Sequence, residues 1–125
     1  MATVLTYGTF DTFHYGHYEL LLRAKELGDR LIVGVSTDEF NFQKGKESLF
    51  PFSKRVSWVQ HLDFVDLVIA ENSWDQKVKD VEKYSVDCFV MGDDWAGKFD
   101  FLPCNVVYLS RTPDVSSTQL KQLKG

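Results

Sequence analysis

His14 and His17 stand three residues apart in the stretch GTFDTFHYGH, residues 8–17. Residues three apart on a helix share a face. The helix that begins here has Leu20, Leu21 and Ala24 on the same side as His17, so the two imidazoles look into the space above the preceding strand. Three chemistries fit such a pair. Core histidines would be hydrogen-bonded inside the fold. Metal ligands would need a third donor; Asp11 is the nearest carboxylate, and the remaining histidine, His61, falls on a later helix away from the strand ends. An anion grip would combine the imidazoles with the free N–H groups and partial positive charge of a helix start, which favour phosphate. Gly8 and Gly16 allow a ligand or a backbone to come close.

Other polar residues fall in comparable places. Lys44 and Lys46 lie in the long polar segment 37–53, read as a loop with Gly45 and Pro51. Such lysines are either solvated or able to close over a polyphosphate and neutralise its charge. Lys77, near the start of a later helix, can reach the same region. Asp93 and Asp94 follow a strand and Gly92, where carboxylates cap a turn, bind magnesium or hold ribose hydroxyls. Arg111, Thr112, Ser116, Ser117 and Thr118 surround one more helix start, where they either cap the helix or hold phosphate oxygens. The chain has no Gly-x-x-x-x-Gly-Lys and no Gly-x-Gly-x-x-Gly. The first absence excludes a P-loop, and the second argues against a dinucleotide site.

These residues need elements to position them. "TVLTY" (3–7) reads as a strand, and residues 16–27 as a helix with Leu27 inward and Gly28 at its left-handed end. The nearly continuous apolar run "RLIVGVS" (30–36) reads as a strand covered on both faces. Helix 53–62 turns Val56, Val59 and Leu62 inward. Strand 65–70 follows, then a helix opened by the Ser-x-x-Gln pattern at 73–76 and running to 84. Strands 87–91 and 105–109 and a short last helix complete the chain. Alternating strands and helices predict a single α/β domain, residues 1–125, with a doubly wound, mostly parallel, Rossmann-like sheet. Ligands then bind beyond the C-terminal ends of the strands, where the turns "GTFD", "TDEF", "GDDW" and "SRTP" gather most of the unusual polar residues.

The chain has 125 residues, 44% of them hydrophobic and 26% charged, which is enough for one core without staples. Its net charge of −4 excludes a broadly nucleic-acid-binding surface, so an anion site must be a local basic pocket. Cys88 and Cys104 lie in apolar runs and read as buried thiols rather than a disulfide. No signal-peptide pattern and no apolar run of membrane-spanning length is present, so the expectation is a cytoplasmic protein with neither membrane nor nucleic-acid partner.

"GTFDTFHYGH" resembles the His-x-Gly-His signature of the nucleotidylyltransferase superfamily. "RTPDVSST" resembles its second signature, Arg-Thr-x-Gly-Ile-Ser-Thr-Thr. "YGTFD", "STDEFN", "FVMGDDW", "GKFDFL" and "VVYL", in order, are similar to the bacterial glycerol-3-phosphate cytidylyltransferases over residues 3–120. The resemblance implies transfer of the cytidylyl group of CTP to glycerol 3-phosphate by direct in-line attack, giving CDP-glycerol and pyrophosphate. It implies magnesium carried mainly by the CTP phosphates, with Asp11 the one direct ligand to consider, a homodimer, and a place in teichoic acid or capsule synthesis. Carried over by position, the catalytic residues are His14, His17, Lys46 and Arg111. Thr9, Phe10, His14, His17, Lys46, Asp94, Arg111, Thr112, Ser116, Ser117 and Thr118 contact CTP, while Lys44 and Lys77 contact the acceptor.

The chain departs from the family pattern twice. The family's Arg-Tyr-Val-Asp reads Asp63-Phe64-Val65-Asp66, a charge reversal at an arginine expected to serve the active site. The glycine of the second signature is Asp114, and its isoleucine is Val115. Asp63 leaves room for a different small alcohol phosphate as acceptor, and a catalytically silent CTP-binding module is the third reading.

Overall fold

The computed structural model describes residues 2–12 and 15–110. Five strands, β1 (Thr3–Gly8), β2 (Arg30–Ser36), β3 (Leu67–Glu71), β4 (Cys88–Gly92) and β5 (Asn105–Leu109), form one parallel sheet in the order β3-β2-β1-β4-β5. Among the described residues, helices α1 (Tyr15–Glu26), α2 (Asp38–Gln43), α3 (Phe52–Gln60) and α4 (Gln76–Lys83) and a 3-10 turn at Asp93–Trp95 connect them. The doubly wound α/β expectation holds. The chain leaves β1 toward β2 on one side and reaches β4 on the other, so the strand order reverses at β1. Ligand crevices open at such a reversal, beyond the C-terminal strand ends.

Two apolar layers cover the sheet. Side chains alternate along a strand, so Val4 faces one layer while Leu5 and Tyr7 face the other. Val4, Leu31, Val33 and Val35 pack with Leu21 and Ala24 of α1 and Val59 of α3. Leu5, Tyr7, Ile32 and Phe89 pack with Val81 of α4 and with Phe99 and Leu102. β1 and β2 are buried on both faces, which explains the unbroken apolar run of residues 31–35.

Several local expectations need correction. Segment 37–53 is not all loop. Thr37 caps α2 by accepting the Phe40 N–H at 3.1 Å, with Asp38 and Glu39 in the first turn. Leu27 lies beyond the end of α1 and is exposed. Gly28 serves close packing rather than a left-handed cap, since a Cβ there would meet the Ala2 carbonyl oxygen at 2.7 Å. α4 begins at Gln76, three residues later than expected. The Ser-x-x-Gln pattern still acts, because Gln76 Oε1 accepts the Ser73 N–H at 3.1 Å. β3 is shifted to 67–71, which puts Glu71 at its C-terminal end.

Candidate active site

The loop after β1 carries the first candidate residues. Phe10 has a left-handed backbone, φ 53°, an uncommon conformation for an aromatic residue and one that clusters at functional sites. A side chain on Gly8 would lie 2.8 Å from the Phe10 ring, so the glycine lets that ring fold back into the core. There it meets the His17 ring edge-on, with centroids 5.3 Å apart. Phe10 is thus a wedge that holds His17 as well as a lining residue.

Asp11 ties this loop to the next one. Its two carboxylate oxygens accept the N–H groups of Leu49 at 2.8 Å and Phe50 at 3.0 Å. Buried Asn41 accepts from the Thr9 hydroxyl at 3.3 Å and donates to Ser48 Oγ at 2.8 Å, while its carbonyl accepts the Lys46 N–H at 2.9 Å. The two loops enclose a cavity of about 620 Å³ lined by Thr9, Phe10, Asp11, His17, Asn41 and Lys46, with Thr12, Glu47 and Ser48. Asp11 is therefore a loop clamp, and among the described residues no three His, Cys, Asp or Glu side chains come together to hold a metal.

A second cavity, about 120 Å³, lies beside the first, and Thr9 and Lys46 line both. Lys77 Nζ donates to Glu71 Oε2 at 2.6 Å, and both side chains are almost fully buried. The other Glu71 oxygen accepts from Ser36 Oγ at 2.5 Å, and Lys44 Nζ donates to Ser36 Oγ at 3.2 Å. Lys44 also stands 4.5 Å from the Phe40 ring centroid. Burial holds its ammonium below the usual lysine range, partly offset by the Glu71 charge. Tyr7, Trp74, Trp95 and Phe99 supply the apolar walls. The Tyr7 hydroxyl donates to Asp80, and burial followed by that carboxylate pushes the phenol far up, so it stays neutral.

Arg55 of α3 joins the two cavities from below. Its side chain is fully buried. It donates to the carbonyls of Thr9 at 2.9 Å, Ser36 at 2.6 Å and Phe50 at 3.0 Å, and to Asp38 Oδ1 at 2.6 Å. One guanidinium thus fixes the ends of β1 and β2, the start of α2 and the entry to α3. Its five fixed donors suit that task where a lysine would not.

A wider cavity and a narrower, lysine-lined one thus lie side by side at the reversal point of the parallel sheet. Residues 5–123 match the model of the Cytidylyltransferase-like family. The chain belongs to that family. This cytidylyltransferase-like chain is 56% identical to a glycerol-3-phosphate cytidylyltransferase of Bacillus spizizenii, over 98% of its own length and 96% of the other's. It is 55% identical to one of Staphylococcus aureus, over 98% and 94%. Among solved structures it is similar to a lipopolysaccharide core biosynthesis protein of Thermoplasma volcanium. That match has a TM-score of 0.77 at 28% identity and covers 90% of this chain and 98% of that one.

Of the residues expected in the family site, Thr9, Phe10, His17 and Lys46 meet at the larger cavity, and Lys44 and Lys77 at the smaller. Asp94 is exposed on the 3-10 turn after β4, outside the described lining of both. His14, Arg111, Thr112, Ser116, Ser117 and Thr118, together with Asp114 and Val115, lie outside the described residues. Asp63 sits between the end of α3 and the start of β3, so within one protomer it is at the sheet edge opposite the cavities. Asp63 is accordingly absent from the described lining of either cavity. Arg55, Asn41, Ser36, Glu71 and Trp74 escaped the reading of the sequence. Glu71 had a signal, since it ends a strand at the edge where ligands bind. Cys88 and Cys104 are free thiols, raised in pKa chiefly by burial.

Proposed function

We propose that this chain transfers the cytidylyl group of CTP to glycerol 3-phosphate, giving CDP-glycerol and pyrophosphate. The observation that carries this reading is the pairing of the two cavities through Lys46 and Thr9, the smaller one lined by Lys44 and Lys77 besides the shared Lys46. A triphosphate in the larger cavity and a phosphate monoester near Lys44 would bring nucleophile and electrophile together at that junction. An oxygen of the acceptor phosphate attacks the α-phosphorus of CTP. The bond from that phosphorus to the bridging oxygen breaks, and pyrophosphate leaves with the electron pair. No group of the protein is modified. Lys46 and His17 stabilise charge on the triphosphate, the kind of preorganised electrostatic assistance that dominates phosphoryl chemistry. His14 and Arg111 join them in this reading on the strength of the family signatures. Magnesium enters as the CTP complex in this reading, since both oxygens of Asp11, the carboxylate the family resemblance offers as a ligand, accept backbone N–H groups of the neighbouring loop. A homodimer and a role in polymer synthesis at the cell envelope belong to the same reading.

The test is pyrophosphate release from CTP and magnesium with a panel of alcohol phosphates. Release with glycerol 3-phosphate, with CDP-glycerol as the product, is expected. Absence of release with that acceptor, while CTP still binds, overturns the reading.

A further inference from the structure

Small alcohol phosphates are of two kinds: neutral polyols, and amino alcohols whose far end carries an ammonium group. A protein binds an ammonium with aromatic faces and a nearby carboxylate. The smaller cavity holds both, in the rings of Tyr7, Trp74 and Phe99 and the carboxylate of Glu71. All of them are already engaged by a lysine of the same chain. Lys77 Nζ lies 4.7 Å from the ring centroids of Tyr7 and Trp74, 5.8 Å from Phe99, and 2.6 Å from Glu71 Oε2. It reaches that position from the first turn of α4 and is only 2% exposed. The second Glu71 oxygen accepts from Ser36, which in turn accepts from Lys44.

We infer that Lys77 is a specificity determinant: a resident cation that fills an ammonium box and so restricts the acceptor to a neutral polyol phosphate. An incoming ammonium would meet Lys77 and Lys44 at short range, with both oxygens of Glu71, the one carboxylate lining this cavity among the described residues, engaged. Discrimination by such a built-in repulsive element is a recognised route to specificity. A polyol hydroxyl meets no such repulsion and finds donors in the same lysines. Glu71 is a positioning residue here, since it holds Lys77 against the rings. The inference rests on the proposed reaction, because the cavity must be the one that receives the acceptor.

The test uses the full chain and its Lys77→Met variant, which keeps the stem and removes the charge. kcat/KM is measured with CTP, magnesium and either glycerol 3-phosphate or phosphoethanolamine. The wild type is expected to prefer glycerol 3-phosphate by at least about 100-fold, and Lys77→Met to shift the ratio toward phosphoethanolamine by about tenfold or more, the scale of a desolvated cation–aromatic contact. An unchanged ratio, or equal losses on both acceptors, overturns the inference. So does a wild type that uses phosphoethanolamine as well as glycerol 3-phosphate, a result that does not depend on any variant folding. Tryptophan fluorescence during a phosphoethanolamine titration reads the box without turnover, because Trp74 forms one wall. A response in Lys77→Met but not in the wild type supports the assignment, and the same response in both overturns it. If the wild type turns over no acceptor while the variant alone gains phosphoethanolamine binding, the reaction is wrong and the box stands. If the wild type makes CDP-glycerol and the variant gains nothing, the box is wrong and the reaction stands.

Discussion

The two cavities share Thr9 and Lys46 and are otherwise built in opposite ways. The larger is framed mainly by two loops, tied together by the Asp11 carboxylate on backbone N–H groups and by Asn41 between Thr9 and Ser48. The smaller is framed by strand ends and aromatic rings, with a buried ion pair as its floor. Loop walls held by backbone bonds can adjust around a long, flexible triphosphate. A small rigid box holding fixed charges can distinguish short molecules that differ in one group. Under the proposed reaction, then, the first cavity is designed for charge and reach, and the second for identity.

The most damaging change to both cavities together is predicted at Arg55. Arg55→Leu leaves the carbonyls of Thr9, Ser36 and Phe50 without their donor and releases Asp38. Leaving a buried acceptor without its donor costs about 1–3 kcal/mol, while the half-exposed Asp38 is rescued by solvent; the loss is read as a lower urea midpoint at unchanged m-value. If the two cavities are independent constructions, the variant should keep binding at one of them; loss of both is expected.

The next change should separate the cavities. His17→Ala touches only the larger one. Turnover is expected to fall about 100-fold or more, the scale of removing one preorganised donor to the transition state, with the KM for the acceptor nearly unchanged. A rise confined to the acceptor KM would reverse the assignment of the cavities.

Lys44→Met makes the complementary cut. Lys44 lines only the smaller cavity, and the expected result is an acceptor KM raised about tenfold, as for a lost charge-assisted hydrogen bond, with the KM for CTP unmoved. A pH profile sharpens it. Lys44 is faced by Ser36, Glu71, Lys46, Lys77 and Arg55, and burial lowers its pKa from the ordinary lysine value. Its ammonium is complete at low pH and is lost as pH rises through the lowered pKa, so acceptor KM should climb on the alkaline side earlier than for an exposed lysine. In Lys44→Met that limb should vanish.

Much of this contrast could be read from the sequence, and the exceptions have physical causes. The apolar run 31–35 and the strand-turn-helix pattern around His17 fixed the doubly wound frame, because both depend on local periodicity. α2 is six residues long, too short to show a period, though Thr37-Asp-Glu carries the marks of a helix start. Arg55 was hidden because a lone arginine on a helix reads as surface. Yet it lies three residues after Phe52 and four before Val59, on the apolar face. Lys77 stands out in the sequence but its partner does not, because Glu71 falls one residue past the predicted strand 65–70 and reads as the start of a turn. Pairings across the sheet, such as Ser36 with Glu71, follow from register, which single-chain periodicity does not give.

The smallest effect is expected at the far edge of the sheet, and it checks whether the cavity differences are local. Asp66 Oδ2 accepts from Lys25 Nζ at 2.7 Å and from the Leu31 N–H at 2.7 Å. The Lys25 hydrogen bond and then the Leu31 N–H hold this carboxyl below the usual aspartate range. Because the folded-state pKa is depressed, the stabilisation is present above the ordinary carboxylate pKa and is lost as pH falls through the lowered value. The pair is partly exposed, so solvent screening limits it, and Asp66→Ala should cost about 1 kcal/mol. Thermal melts at neutral pH and near pH 3 should show the difference between wild type and variant shrinking in acid. Both KM values should stay at wild-type levels, since β2 and β3 carry no lining residue at that end. A selective change in either KM would mean that the opposite edge of the sheet communicates with one cavity, and the separation between them would no longer be a property of the strand ends alone.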